Sequence, residues 1–197
     1  MEYILSIELS SNEYKYMMSD LDRVVLFKGR IKKELDSGEK ISDLINGLSL
    51  DIKKGQVPSD FKVSKDEFAE MKLMGIGISA PGIIDLESGE VLRANSLIKN
   101  YQGINFKKLI SKNLSIPVIA DNDVNSAMLY EVSYGEAKNY SNITLLSISE
   151  GVGASIIIDG QILRGFKYLG GEIGYLPLEN SVVNDKCSYS KLLEKIK

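Results

Sequence analysis

The sequence predicts a mixed α/β protein with two lobes. Apolar strands at the start read as a hairpin sheet, later strands alternate with helices, and a second strand pair at 142–164 repeats the type of the opening hairpin. Two sheets that open in the same way indicate two lobes joined by a hinge near 117–125. We therefore assign residues 1–117 to an N-terminal α/β lobe, and residues 118–197 to the hinge and a partial second α/β lobe.

The first half of the chain is predicted to contain one strand, one hairpin and one helix. Residues 2–9 read as a strand, and Asp20-Leu21-Asp22 marks the turn between two hairpin strands. Apolar residues at helical spacing within 31–54 predict a helix with a charged outer face. Residues 55–66 are polar and contain Pro and Gly, which is typical of a connection.

The second half alternates strands and helices. A buried strand is predicted from Leu73 into the Pro81-Gly82 turn, followed by an extended segment over 90–98 and a helix near Phe106–Asn113. A strand over 116–121 then leads to a helix within 125–137, which ends at Gly135. The chain continues with a strand pair over 142–149 and 154–164 and with a short charged helix over 189–197.

Composition excludes several classes of function. The 197 residues are 44% apolar and 26% charged with a formal net charge of −3, so no basic surface for nucleic acid is expected. No apolar run reaches membrane-spanning length, and no signal peptide is recognisable at the N-terminus. Cys187 is the single cysteine, which fits the cytoplasm. The chain has no histidine, which excludes histidine bases and His-ligated zinc within it.

Five stretches of sequence together resemble one family. They are "GIGISAPGIID" (75–85), "IPVIADNDVNSAMLYEVSYGEA" (116–137), "ITLLSISEGVGASIIIDGQILRG" (143–165), "GGEIGY" (170–175) and "DKCSYSKLLE" (185–194). In this order and spacing they resemble the ROK family of sugar kinases and sugar-responsive transcriptional repressors. The resemblance implies an actin-like ATPase (ribonuclease H-like) fold with a sugar in the cleft between two α/β lobes. It also implies that roughly the last third of a usual member is absent, which leaves the second lobe incomplete.

The resemblance assigns sugar binding to the hinge. Asn122 and Asp123 match the Asn-Asp pair of the family, in which the Asn holds sugar hydroxyls and the Asp is the general base of the kinases. Taken alone, the dipeptide favours Asp123 as the cap of a helix beginning near Val124, whereas the family context favours the sugar ligand. Gly82 matches a position whose backbone approaches the sugar, and an ordinary tight turn explains it as well.

Three residues of the second lobe match further sugar ligands. Glu172 matches the Glu of the family's Gly-Glu-x-Gly-His, whose His is Tyr175 here, and Glu194 falls on a second sugar-binding Glu. A solvated Glu on a surface turn or on an amphipathic helix is the alternative for both carboxylates. Of the family's zinc ligands only Cys187 matches, so no zinc is expected.

Both phosphate loops of the family are altered. The run Glu8-Leu9-Ser10-Ser11-Asn12 overlies Asp-x-Gly-Gly-Thr, and it has lost both glycines and the threonine. The second loop keeps Gly151 and Gly153, but its threonine is Glu150. Two like charges about 4 Å apart repel by about 1 kcal/mol in water and about 4 kcal/mol at an effective dielectric of 20. We therefore expect no ATP and no other cofactor, and we interpret these loops as degenerate.

Three hypotheses follow. The first is a non-catalytic, sugar-sensing ROK domain that is part of, or related to, a transcriptional repressor, with DNA contacted only through a helix-turn-helix segment that this chain lacks. The second is a fragment of an ATP-dependent hexose kinase that uses Mg²⁺ and Asp123. The third is a degenerate dimerisation module. An uncovered sheet edge and apolar surface on the half-built lobe predict a homodimer, and no membrane partner is expected.

Overall fold

The computed structural model describes residues 1–94 and 98–196 and divides the chain into two compact units, Met1–Asp123 and Val124–Lys197. Part of the extended segment predicted over 90–98 lies outside the described residues. No helix within the described ranges is long and apolar enough to cross a membrane.

A five-stranded mixed sheet is the centre of the first unit. Its order is β3-β2-β1-β4-β7. The strands are β1 (Glu2–Leu9), β2 (Glu13–Asp20), β3 (Val25–Lys32), β4 (Lys72–Ala80) and β7 (Val118–Asn122). β1, β2 and β3 form an antiparallel meander, whereas β4 runs parallel to both β1 and β7. The short strands β5 (Ile83–Ile84) and β6 (Val91–Arg93) pair with each other after the turn at Gly82.

Among the described residues of this unit, the helices are α1 (Gly38–Lys53), α2 (Lys65–Ala69) and α3 (Phe106–Ser111). Ser37 caps α1, because its Oγ accepts a hydrogen bond from the Lys40 N–H at 3.3 Å. Every second residue of β1 and one face of α1 are buried in the same hydrophobic core. The two-residue period of a strand and the 3.6-residue period of a helix, both visible in the sequence, account for this burial.

The second unit contains a smaller sheet of order β10-β9-β8 and several short elements. Its helices are α4 (Asp123–Ser133, which begins at the last residue of the first unit), α5 (Val183–Cys187) and α6 (Tyr189–Ile196). Its strands are β8 (Ile143–Ile148), β9 (Val152–Ile158), β10 (Gln161–Ile162), β11 (Pro177–Leu178) and β12 (Ser181–Val182). Single 3₁₀ turns cover Phe166–Tyr168 and Ile173–Tyr175.

Three expectations differ from the structure. The division falls between Asp123 and Val124 rather than at residue 117, because β7 pairs with β4 along its whole length. The helix predicted within 31–54 begins only at Gly38, because residues up to Lys32 continue β3. The connection predicted over 55–66 ends in α2, whose start carries a capping box between Ser64 and Glu67.

Burial is uneven between the two units. The large hydrophobic core consists of residues of the first unit. In the second unit the buried apolar residues are Met128, Ala137, Val152, Ala154 and Ile157. Many large apolar side chains there are exposed, including Leu146 at 57%, Ile148 at 52% and Phe166 at 80%. Within the described residues β8 is an edge strand of its sheet, so this unit presents apolar surface beside an unpaired strand edge.

Candidate functional site

The end of β7 lies beside the end of β4 in the first unit. The two parallel strands are in register at Ser79 with Asp121 and at Ala80 with Asn122. The Asn122 side-chain amide donates a hydrogen bond of 3.0 Å to the Gly82 carbonyl oxygen. Ligands of open α/β sheets bind beyond the carboxyl ends of parallel strands. The structure therefore brings Gly82 and Asn122, two of the predicted sugar residues, together at an edge suited to a ligand.

Gly82 is required by the backbone of its turn. Its φ of +95° is unfavourable for other residues, and a Cβ at this position would lie 2.6 Å from the Arg93 carbonyl oxygen. Ile83 pairs with Arg93 in the β5–β6 ladder, which holds the two segments in close approach. The turn therefore needs glycine whether or not a sugar is bound, and its carbonyl orients the amide of Asn122.

Asp123 is the first residue of α4, and its side chain is exposed. The helix starts at Asp123 itself, so this carboxylate lies in the first turn, where the positive end of the helix dipole stabilises negative charge. Burial raises the pKa of Tyr101, and the charge of Asp123 raises it further. The Tyr101 hydroxyl is buried without a hydrogen-bond partner in the part of the chain that the structure describes.

The segment predicted as the first phosphate loop is the hairpin turn between β1 and β2. The Glu8 carboxylate forms an ion pair of 2.7 Å with Lys15 on the adjacent strand. The carbonyl oxygens of Ser11 and Asn12 accept hydrogen bonds from Leu35 and Lys33 at 2.7 and 2.9 Å. These contacts tie the turn to the segment that follows β3.

In the segment predicted as the second phosphate loop, two backbone N–H groups donate within the protein. The Val152 N–H donates to Asn184 Oδ1 at 2.6 Å, and the Ala154 N–H donates to the Gly171 carbonyl at 2.9 Å. Glu150 is exposed at the tip of the loop. Sequence reasoning missed Asn184, because only the packing of α5 against β9 brings it to the loop and no local motif marks it.

The turn carrying Glu172 and Tyr175 packs closely on β9. A Cβ on Gly171 would lie 2.0 Å from the Ala154 carbonyl oxygen, and one on Gly174 would lie 2.2 Å from that of Val152. The glycines of "GGEIGY" therefore allow the turn to contact the backbone of β9. Glu172 and Tyr175 are both half-buried, and the Tyr175 N–H donates to the Glu172 carbonyl at 3.1 Å.

Glu194 and Cys187 lie on the last two helices. Glu194 is exposed on α6 and forms an ion pair of 2.9 Å with Lys191. Cys187 is the last residue of α5 and is partly buried. Across the described ranges, no three His, Cys, Asp or Glu side chains form a group that could hold a metal ion.

The predicted site residues therefore form separate groups within each unit. Gly82, Asn122 and Asp123 belong to the strand ends of the first unit. In the second unit, the loop at Glu150–Gly153 and the turn at Glu172–Tyr175 are joined through β9, whereas Glu194 lies on α6.

The sequence profile of the ROK family matches residues 60–197. The chain belongs to the ROK family. Its relatives include the xylose repressor of Caldicellulosiruptor bescii, 37% identical over 116 residues that cover 59% of this chain and 28% of the repressor. They also include the glucokinase of Halalkalibacterium halodurans, 32% identical over 117 residues that cover 59% of this chain and 35% of the kinase.

Solved structures show that this ROK chain has the predicted actin-like α/β fold. The crystal structure of a ROK family transcriptional regulator, a homologue of the E. coli MLC protein, superposes with a TM-score of 0.80 at 21% identity. The match covers 99% of this chain and 49% of the regulator. The chain spans about half or less of the length of the first curated relatives it matches. Repressors and kinases are both among them.

Proposed function

We propose that this ROK domain binds a monosaccharide as an effector and does not phosphorylate it. The observation that carries the proposal is the hydrogen bond of 2.6 Å from the Val152 N–H to Asn184. A phosphate-binding loop has to direct such N–H groups at the anion, and here this donor is satisfied by a side chain. The Asn-Asp pair of the family is kept at the end of β7. This supports a domain that has retained sugar binding and lost phosphate binding.

The chemistry of the hinge suits a polyol. A carboxylate accepts hydrogen bonds from hydroxyl groups, and a carboxamide both donates and accepts. The hydrogen bond to the Gly82 carbonyl orients the Asn122 side chain. Its conformational freedom is therefore already reduced before a sugar binds, which lowers the entropic cost of binding. We propose Gly82, Asn122 and Asp123 as sugar contacts, and we propose Glu172, Tyr175 and Glu194 as candidate sugar ligands of the second unit.

Electrostatics weigh against a nucleotide. Glu150 adds an exposed negative charge to the loop that in the family receives phosphate. In the other loop, the two glycines and the threonine of the family motif are gone. A triphosphate carries several negative charges, and each repulsion of about 1 to 4 kcal/mol would weaken its binding. This supports a domain without bound ATP or Mg²⁺.

Relatives named xylose repressor support a pentose or hexose effector, with D-xylose as the first sugar to test. We propose that sugar binding shifts a conformational equilibrium of the domain, which a repressor reads through its DNA-binding part. Lys and Arg are scattered along the sequence and the formal net charge is −3, so the sequence does not indicate a nucleic-acid surface. We propose the cytoplasm as its location.

A ROK sugar kinase is the second candidate. Asp123 is exposed at the strand–helix junction, as a general base acting on a sugar hydroxyl has to be. The similarity to the glucokinase of Halalkalibacterium halodurans supports the same assignment. An assay of the full-length gene product with D-glucose, ATP and Mg²⁺ separates the two candidates. The effector protein yields no glucose phosphate above background, whereas turnover at ordinary kinase rates, on the order of 1 to 100 per second, would establish the kinase.

Calorimetric titration with a panel of monosaccharides tests sugar binding directly. We expect saturable binding of one sugar and a loss of roughly 10- to 100-fold in affinity for Asp123→Asn, since a hydrogen bond to a charged group contributes about 1.5 to 3 kcal/mol. Asp22→Asn, at an exposed turn residue of the same unit, is the matched control and should bind as the wild type does. If Asp123→Asn binds with unchanged affinity, the hinge carboxylate is not a sugar ligand.

A further inference from the structure

A groove along α1 in the first unit is unrelated to the sugar residues. It encloses about 380 Å³, which falls within the usual range of about 300 to 1,000 Å³ for small-molecule sites. Its floor is apolar and consists of Leu35, Leu44, Leu48 and Pro58, all of them buried. We call this surface the α1 groove. None of the proposed sugar contacts lines it.

The rim of the α1 groove is acidic. Two lysines and four carboxylates line it, a net formal charge of −2; they are Lys33, Lys40, Glu34, Asp43, Asp51 and Asp60. Both lysines are already paired, Lys40 with Glu34 at 2.8 Å and Lys33 with Asp60 at 3.6 Å. Within residues 1–94 and 98–196, the side chains of Asp43 and Asp51 have no hydrogen-bond or ion-pair partner. The groove therefore has an uncompensated excess of negative charge.

Gly47 lies midway between these two carboxylates, one helical turn from each. Asp43, Gly47 and Asp51 share a face of α1, so the two carboxylates are about 12 Å apart along the helix axis. Glycine is among the least favourable residues inside a helix. A Cβ on Gly47 would meet no atom within 4 Å, so the packing of this unit does not require glycine there. A glycine of this kind leaves the groove open at its centre and permits close approach of another molecule.

We propose that the α1 groove binds a linear aliphatic polyamine. The terminal ammonium groups pair with Asp43 and Asp51, and the methylene chain lies over Gly47 on the leucine floor. Charge complementarity favours a polycation over a neutral or anionic ligand, and the apolar floor favours methylene groups over a hydrated metal ion.

Calorimetric titration of the full chain with spermidine at low ionic strength tests this assignment. We expect one saturable site for spermidine. The Asp43→Asn/Asp51→Asn double variant should bind with roughly 10-fold lower affinity, because each exposed ion pair raises the affinity by about a few-fold. The control Asp22→Asn should bind with unchanged affinity. Raising the salt concentration to about 0.5 M should weaken binding strongly, since the Debye length is then well below the charge separation. Mg²⁺ should not compete with spermidine.

Gly47→Leu gives a second test that does not endanger the fold. Leucine is a better helix former than glycine, and the new Cβ enters open space, so the melting temperature should not fall. Spermidine binding should nevertheless be lost. The proposal is overturned if spermidine does not bind, if the double aspartate variant binds it as the wild type does, or if Gly47→Leu leaves binding intact. Binding of a lysine-rich peptide through Asp43 and Asp51 without spermidine binding would also overturn it and make the groove a peptide site.

Discussion

Asn184→Ala removes the side-chain acceptor of the Val152 N–H, next to the loop at Glu150–Gly153. Asn184 Oδ1 accepts the Val152 N–H at 2.6 Å, and Val152 is only 9% exposed. A buried donor that loses its partner destabilises a protein by about 1 to 3 kcal/mol. Because whole domains are stable by only about 5 to 15 kcal/mol, this is a substantial fraction of the stability of the second unit.

Urea denaturation measures this change. With a slope of about 2 kcal/mol per molar, a loss of about 2 kcal/mol lowers the midpoint by about 1 M. Asn184→Asp keeps an acceptor oxygen in the same place and should recover most of the stability. Asn142→Ala removes the exposed hydrogen bond of 3.1 Å from the Asp159 N–H and should lower stability much less.

Hydrogen exchange of the Val152 amide gives the decisive readout. We expect a protected amide in the wild type and in Asn184→Asp, and fast exchange in Asn184→Ala, because the N–H then faces solvent or an empty site. A wild-type midpoint together with an unchanged exchange rate in Asn184→Ala would show that Asn184 does not occupy this donor.

Four further predictions concern stability and assembly. Tyr101→Phe should raise the melting temperature, since it removes a buried hydroxyl without a partner; a fall would mean that a buried water satisfies the hydroxyl. Gly171→Ala should destabilise the chain by several kcal/mol in urea denaturation, because the residue has a φ of +84° and the new Cβ would lie 2.0 Å from the Ala154 carbonyl. Arg30 lowers the pKa of Glu13 in the folded protein. The pair therefore stabilises the fold at pH values above the pKa of Glu13 in the unfolded chain, and this contribution is lost as the pH falls through the lower pKa of the folded state. In Glu13→Gln, the melting temperature should fall less steeply with decreasing pH. The exposed apolar surface of the second unit predicts a dimer, and a monomer at all concentrations in light scattering would contradict this.

Local signals in the sequence predicted most of the strands and helices. β1 alternates buried and exposed residues, and α1 repeats apolar residues at helical spacing, so both were recognisable from one segment alone. The capping residues Ser64 and Glu67 also mark the start of α2 in the sequence. The helix was missed because it is short and has few apolar residues, so the segment resembles a polar connection. The helical pattern predicted within 31–54 did not reveal that β3 continues to Lys32, at the start of that range.

Long-range packing explains what the sequence did not reveal. β7 reads the same whether it belongs to the hinge or to the first sheet, and only its pairing with β4 decides between them. Asn184 lies on a short helix without a motif, and its role arises from a contact with Val152 across 32 positions of the chain. The glycines of "GGEIGY" were predicted as a turn, whereas their close approach to the carbonyls of Ala154 and Val152 depends on where β9 lies.

The most direct test of sugar binding without phosphotransfer is one calorimetric titration of the chain with D-xylose, and then D-glucose, in a buffer that contains Mg²⁺ and ATP. We predict a saturable binding isotherm without sustained heat flow, and weaker binding in Asp123→Asn. Sustained heat from turnover would show that the domain is a kinase, and the absence of binding for every sugar of the panel would show that Asn122 and Asp123 no longer form a sugar site.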